Sequence, residues 1–219
     1  MRVVNVTADA DTFTCNAYLA PAGRPTLVDA GAMEGVVDRI REETDELDAV
    51  VLTHQHGDHV SELDAVVDAF DPDVYACGDH PHRTEELDDC DVVTIGEETF
   101  DVVYTPGHAD DHVSLISETT IFSGDVVVHD DGAFDYGSFG RTDYPGQSRE
   151  QLIDSIERIL DRLPEGVSEM YAGHGDEFRG DDRESNGSRA RQSASDGVRD
   201  VIETALSRAE KREPKYPDE

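Results

Sequence analysis

"VVLTHQHGDHVSEL", residues 50–63, decides how this chain is read. An apolar run ends, and His54, His56, Asp58 and His59 follow within six residues. His54 and His56 are two apart, so on extended backbone both side chains leave from one face. Asp58 and His59 then turn with the Gly57 loop. A strand end crowded with histidine serves no hydrophobic core. Neutral imidazoles beside a carboxylate suit Zn²⁺ or Fe²⁺ better than Mg²⁺ or Ca²⁺. The bland alternative, a solvated polar turn, does not account for four donors so close together.

Local ligands rarely close a coordination shell, so a metal site needs donors from elsewhere. Three later stretches offer them. "YTPGHADDH" (104–112) presents His108, "IFSGD" (121–125) presents Asp125, and "YAGHGD" (171–176) presents His174. Each follows a β-like run. His108 and His174 each adjoin a glycine, which lets backbone come close.

Outward from these loops the chain alternates strands and helices. "RVVNV" (2–6), "TLVDAG" (26–31) and "DAVVLTH" (48–54) read as strands. So do "DVYAC" (73–77), "DVVTI" (91–95), "TFDVVYT" (99–105), "HVSLIS" (112–117), "TTIFSGD" (119–125) and "VSEMYAGHG" (167–175). Helical spacing appears around Val36, Val37 and Ile40, and again in "VSELDAVVDAF" (60–70), which stops at Pro72. The clearest helix opens at Ser148, with Gln151 three places later in a capping-box pattern. Ile153, Ile156, Ile159 and Leu160 form its apolar stripe, and Pro164 closes it. From 179 to 197 the text reads as loop, a last helix runs through Val201, Ile202, Ala205 and Leu206, and 213–219 reads as frayed. Two runs of strands, each with helices, predict two packed sheets with helices outside, an α/β layered sandwich.

Length and composition bound the function. A chain of 219 residues suffices for one large domain. It carries 51 Asp+Glu against 18 Lys+Arg, a formal charge of −33, and its only lysines are Lys211 and Lys215. The acids are dispersed, which resembles the proteins of salt-in halophiles. Such a surface repels itself in dilute buffer and is screened near molar salt, where the Debye length is about 3 Å. Nucleic acid, which usually demands a basic patch, is not an expected partner. Cys15, Cys77 and Cys90 are far apart and odd in number, which points to a reducing compartment and to packing roles rather than nucleophiles. Neither a signal-peptide core nor a membrane-spanning run is visible, so a cytoplasmic location is expected, with no membrane partner.

The joint motif pattern resembles the metallo-β-lactamase superfamily. "THQHGDH" matches its T-H-x-H-x-D-H signature, and "TPGH", "FSGD" and "GHG" match its later motifs in order. Asn16 and Tyr18 in "CNAYLA" match an N-x-Y-L strand of relatives, and "GSFGRTDYPG" (137–146) looks like the glyoxalase II-like and persulfide dioxygenase branch. The resemblance covers about residues 2–178. It implies the αββα four-layer sandwich, with residues 1–178 as catalytic domain and 179–219 as an acidic loop and helix completing or flanking it. It implies that His54, His56 and His108 hold one metal, that Asp58, His59 and His174 hold a second, and that Asp125 bridges both. The chemistry of the donors agrees: seven are too many for one tetrahedral zinc, and about right for two metals sharing a carboxylate and a hydroxide. Two divalent ions are therefore expected, Zn²⁺ first, with Fe or Mn as alternatives. Asp58, together with the metal-held hydroxide, is the expected catalytic group.

The implied activity is hydrolysis of a small-molecule thioester of the hydroxyacyl-thiol kind, or of a related ester. The alternative is a persulfide dioxygenase with one iron held by His54, His108 and Asp125. A lactonase, a phosphodiesterase and a non-catalytic metal-binding protein rank lower. Flavodiiron-type members carry Glu where His56 stands, which argues against that route. Arg141, Asp143 and Tyr144 are candidates for lining the substrate mouth or for supporting the residues that do, against the alternative of a structural turn. His112 is read as starting a strand, His80 and His82 as a polar loop, and His129 as a surface residue. The reading leaves room for a homodimer.

Overall fold

A computed structural model of the chain describes residues 1–180 and 197–213. The expected loop over 179–197 and the frayed end at 213–219 fall almost wholly outside the described residues. Two six-stranded sheets form the centre. The first runs in order β1 (Val4–Asn5), β2 (Tyr18–Ala20), β3 (Thr26–Val28), β4 (Ala49–Val51), β5 (Asp73–Ala76) and β6 (Glu85–Glu86). Its first three strands are antiparallel, and β3 to β6 are parallel. The second sheet comprises β7 (Val92–Ile95), β8 (Glu98–Tyr104), β9 (Val113–Ile116), β10 (Thr120–Gly124), β13 (Glu169–Ala172) and β14 (Phe178–Arg179). Its order is β14-β13-β10-β9-β8-β7, with only β10 and β13 parallel. A small ribbon pairs β11 (Val127–Val128) with β12 (Ser138–Phe139).

Alternation along the strands builds the layers, because successive side chains leave opposite faces. On β3 and β4, Leu27 and Val50 face α1 (Val36–Arg41) and α3 (Leu63–Phe70), packing with Val36, Ile40, Leu63 and Val66. Their neighbours Val28 and Val51 face the other sheet, against Phe100, Leu115, Phe122 and Tyr171. On β10 and β13, Ile121 and Met170 point out to α4 (Arg149–Arg162) and α5 (Val198–Glu210). The result is the four-layer αββα sandwich that the sequence predicts.

The α4 helix begins where expected. Ser148 Oγ accepts from the Gln151 backbone N–H at 3.2 Å, satisfying one orphan donor of the first turn. Leu152, Ile156 and Ile159 are buried, with Ile153 and Leu160 half-buried beside them. Each fully buried side chain of this size stabilises by about 1.5–3 kcal/mol, which holds an otherwise polar helix to the sheet. Val201, Ile202 and Ala205 of α5 enter the same core, so this helix completes the layer rather than trailing from it.

Three expectations need correction. Asp58 and His59 lie not in an open loop but on a one-turn helix, α2 (Gly57–Val60), whose first turn projects both toward one point. His129 is half-buried rather than on the surface, with its ring edge-on to Tyr136 and Phe178, because the β11–β12 ribbon folds over it. Cys90 is exposed at a turn with φ 74°, so it does not pack as Cys15 does. Two-residue strands at β6, β11, β12 and β14 were too short to show a period. Among the described residues, no helix is long and apolar enough to cross a membrane.

Candidate metal centre

The histidine-rich stretch leaves the end of β4, and the other donors leave the ends of β8, β10 and β13. All seven predicted residues come together at one edge between the sheets. His54 Nε2 and His108 Nε2 lie 3.0 and 2.9 Å from His56 Nδ1. His174 Nε2 is 3.1 Å from Asp58 Oδ2 and 3.4 Å from Asp125 Oδ2. His108 Nε2 is 3.3 Å from the same Asp125 oxygen, and His59 Nε2 is 3.5 Å from Asp125 Oδ1. Donor atoms of His54, His56 and His108 all lie within 4.8 Å of one another, and so do those of Asp58, His59 and His174. Asp125 stands between the two groups.

This arrangement fits divalent cations. Two nitrogens on one tetrahedral zinc stand about 3.3 Å apart, close to the spacing of the three imidazoles. Buried His59 Nε2 and Asp125 Oδ1 have no hydrogen-bond partner, although a buried polar atom left so costs about 1–3 kcal/mol. A cation gives both a partner. Burial holds the His54 and His108 rings below their ordinary range, which keeps ligand lone pairs free. For Asp125, burial alone would raise the carboxyl, but His59 and His174 outweigh it and keep it ionised.

The outer ring nitrogens are held by residues that sequence reasoning did not single out. Asp29 is buried at the end of β3 with φ 59°. Its carboxylate accepts from the Thr53 amide at 2.8 Å, from Thr53 Oγ1 at 2.7 Å and from His59 Nδ1 at 2.9 Å. Thr53 Oγ1 in turn accepts from His54 Nδ1 at 3.2 Å. Asp29 therefore aims two histidines at once, the usual task of a residue behind a metal ligand. His112 leads into β9, as expected, and belongs to neither donor group. Burial, with His108 nearby, pushes it down to about 3, so its neutral Nε2 accepts from the Asp125 backbone N–H at 3.0 Å. Its Nδ1 pairs with Thr105 Oγ1 at 2.9 Å. The local signals were "VDAG" and the His of "ADDH", neither distinctive alone.

Glycine makes room at two points. A Cβ on Gly173 would overlap Asp125 Oδ1 and come within 2.8 Å of His59 Cε1. A Cβ on Gly140 would overlap the Asp125 carbonyl oxygen and come within 2.8 Å of His108 Nδ1. The sheets are joined at this edge by Asn16. Its backbone N–H donates to the Gly173 carbonyl at 2.7 Å, and its Nδ2 donates to the Ala172 and Gly175 carbonyls, each at 3.0 Å.

A cleft of about 880 Å³ opens over the donors. Arg141 and Tyr144 line it, and the Arg141 guanidinium stacks on the Tyr144 ring at 4.5 Å. Asp143 does not line it. Its carboxylate pairs with Arg141 at 2.9 and 2.6 Å, so its part is to hold that guanidinium. The Arg141 carbonyl accepts from His108 Nδ1 at 2.9 Å, which ties this segment to the centre. His80 and His82 lie apart in a polar loop, with His82 Nε2 on Asp64 at 2.6 Å.

The family model described as the metallo-beta-lactamase superfamily matches residues 10–84, the part holding four of the seven donors. The chain belongs to the metallo-β-lactamase superfamily. Among relatives of this superfamily, a hydroxyacylglutathione hydrolase of Aliivibrio fischeri is 32% identical over 152 residues, 68% of this chain and 56% of that protein. The chain spans about half the length of the first curated relatives it matches, 49% and 56%. A solved structure of TTHA1623, described as a di-iron-bound form, is 28% identical with a TM-score of 0.60, covering 79% of this chain and 94% of that one. ETHE1 from Myxococcus xanthus has a TM-score of 0.65 at 24% identity, covering 94% of this chain and 89% of that one, a likeness of fold alone. Metallo-β-lactamase-type clusters of His and Asp are thus present here, and they fit divalent metal.

Proposed function

We propose that this protein is a metal-dependent hydrolase that cleaves a small-molecule thioester of the hydroxyacyl-thiol kind, or a related ester. The observation that carries it is the second donor group, Asp58, His59 and His174, standing beside the first with Asp125 between them. His54, His56 and His108 would hold one ion, Asp58, His59 and His174 another, and Asp125 would reach both. Zinc is the ion that this mixture of imidazole and carboxylate suits best. Such a pair of ions supplies an acidified water at neutral pH and stabilises negative charge that develops on a carbonyl oxygen.

The chain's own residues do the rest. Asp58 lines the cleft, and its carboxyl is held ionised by His174 and His59 against the opposing effect of burial. It is placed to take a proton from the attacking water at a carboxylate oxygen. Asp29 and the Arg141 carbonyl fix which nitrogens of His59 and His108 face inward. The C–S bond breaks as the new C–O bond forms, and the thiol leaves with a proton. Arg141 and Tyr144 at the mouth orient the substrate. No serine or cysteine nucleophile is needed, and buried Cys15, pushed up to about 11 by burial, stays a thiol.

Metal analysis paired with two assays tests the proposal. About two zinc ions per chain with thioester cleavage is the expected result. One iron per chain with persulfide-dependent oxygen uptake would overturn it in favour of the dioxygenase reading, for which a single ion on His54, His108 and Asp125 is enough.

A further inference from the structure

In a chain with 51 acids in 219 residues, an uncharged wall in the cleft is conspicuous. The segment between β1 and β2 supplies one. Thr7, Ala8, Ala10, Thr12, Phe13 and Thr14 line the cleft, while Asp9 and Asp11 between them do not. Asp9 instead turns outward and pairs with Arg39 at 3.2 Å. Elsewhere the lining is polar and charged, with Asp131, Arg141, Gln147, Asp176 and Glu177.

Phe13 heads the uncharged wall. It is 78% exposed, the most exposed large hydrophobic residue among those described. Its ring stacks on His174, centroids 5.3 Å apart and planes 17° apart. Its exposed face is therefore beside the donors, not out on a remote surface. Tyr144, 56% exposed, stands at the mouth of the same cleft. An apolar group that covered this face beside the donors would gain the burial that water denies the ring.

We infer that the wall of residues 7–14, headed by Phe13, seats an apolar acyl group, alkyl or aryl, on the substrate. This rests on the proposed hydrolase reading and narrows it: among hydroxyacyl and related thioesters, the acyl group taken carries a large apolar substituent. The division of the cleft assigns the parts. A polar thiol carrier suits the wall of Arg141, Gln147 and the carboxylates, which leaves the uncharged wall to the acyl side.

The experiment has a binding arm and a turnover arm, both on the metal-loaded full chain. Calorimetry compares phenylacetate and hexanoate with acetate. The wild type is expected to bind the larger acids at least about tenfold more tightly, and Phe13→Ala to erase that difference, with Phe13→Leu restoring part of it. No preference in the wild type, or a preference that survives Phe13→Ala, overturns the inference. This arm does not depend on catalysis. If the larger acids bind as expected and no thioester is cleaved, the hydrolase reading fails while the apolar wall stands.

The turnover arm uses S-acetyl, S-hexanoyl and S-phenylacetyl N-acetylcysteamine, and S-hexyl thioacetate. Phe13→Ala is expected to lower the phenylacetyl-over-acetyl ratio of kcat/KM about tenfold, carried in KM. An equal fall on every substrate would mean that Phe13 acts only through His174, and would overturn the proposal. A preference that follows the S-hexyl thiol rather than the acyl group would overturn the acyl assignment.

Discussion

The two donor groups face each other across Asp125, yet they are built differently. His54, His56 and His108 are three imidazoles, and two of them are locked from behind, His54 through Thr53 to Asp29 and His108 on the Arg141 carbonyl. Asp58, His59 and His174 include a carboxylate, and among the described residues only His59 has such a lock. The side chains of His174 and Asp58 are 24% and 19% exposed, against 7% for His108. The first group is thus the better prepared one. Positions fixed before an ion arrives cost less ordering when it binds, so the groups are expected to differ in affinity although they share a ligand.

The sharpest way to break this comparison is a pair of substitutions. His56→Ala is expected to lower thioester cleavage by at least about 10³-fold and to empty the first group, with the circular dichroism spectrum unchanged. His174→Ala is expected to keep about one ion per chain after gel filtration, held by the first group. If His174→Ala loses both ions while His56→Ala keeps one, the ranking is reversed. Activity at the wild-type level in His56→Ala would remove the site altogether.

A smaller effect separates the locks from the ligands. Asp29→Asn keeps the shape but removes the charge behind His59 and one acceptor used by Thr53 and His59. Metal affinity, read by competition with a chelator, is expected to fall about 10–100-fold, more for the second ion than for the first. An equal fall for both would mean that the Thr53 link carries as much as the direct bond.

Salt is expected to act least on the centre and broadly on the fold. A charge of −33 repels itself across the surface, and screening should raise the thermal midpoint, most of the gain coming below about 1 M NaCl. The order in which the two ions are lost to a chelator is expected to stay the same. A reversal with salt would show that surface charge, not local locking, sets the difference.

What could be read from the sequence follows the same division. Donors had to be written out: no core or turn explains "HQHGDH", so His54, His56, Asp58 and His59 stood out, and His108, Asp125 and His174 followed from strand-end loops. Residues behind the donors have no such mark. Asp29 is one carboxylate among 51 acids, and only its three hydrogen bonds distinguish it. His112 could be placed at a strand start, but its grip on the Asp125 amide depends on a contact across two strands. The layers were legible because β3, β4, β10 and β13 each hold two or three consecutive apolar residues. The ribbon of β11 and β12 was not, and with it went the burial of His129. For Asp143 the sequence left lining and support both open, and its contact with the neighbouring Arg141 guanidinium is the supporting one.

Asn16 has a further consequence. By tying β2 to the carbonyls of residues 172, 173 and 175, it acts as a spacer bar between the histidine-bearing half and the half that carries Asp125 and His174. The distance between the halves is then a property of the polypeptide and not of whatever it clasps. Drift or design can recolour the walls of the opening freely, but a lesion at this one amide would detune both halves together without touching a single ligand.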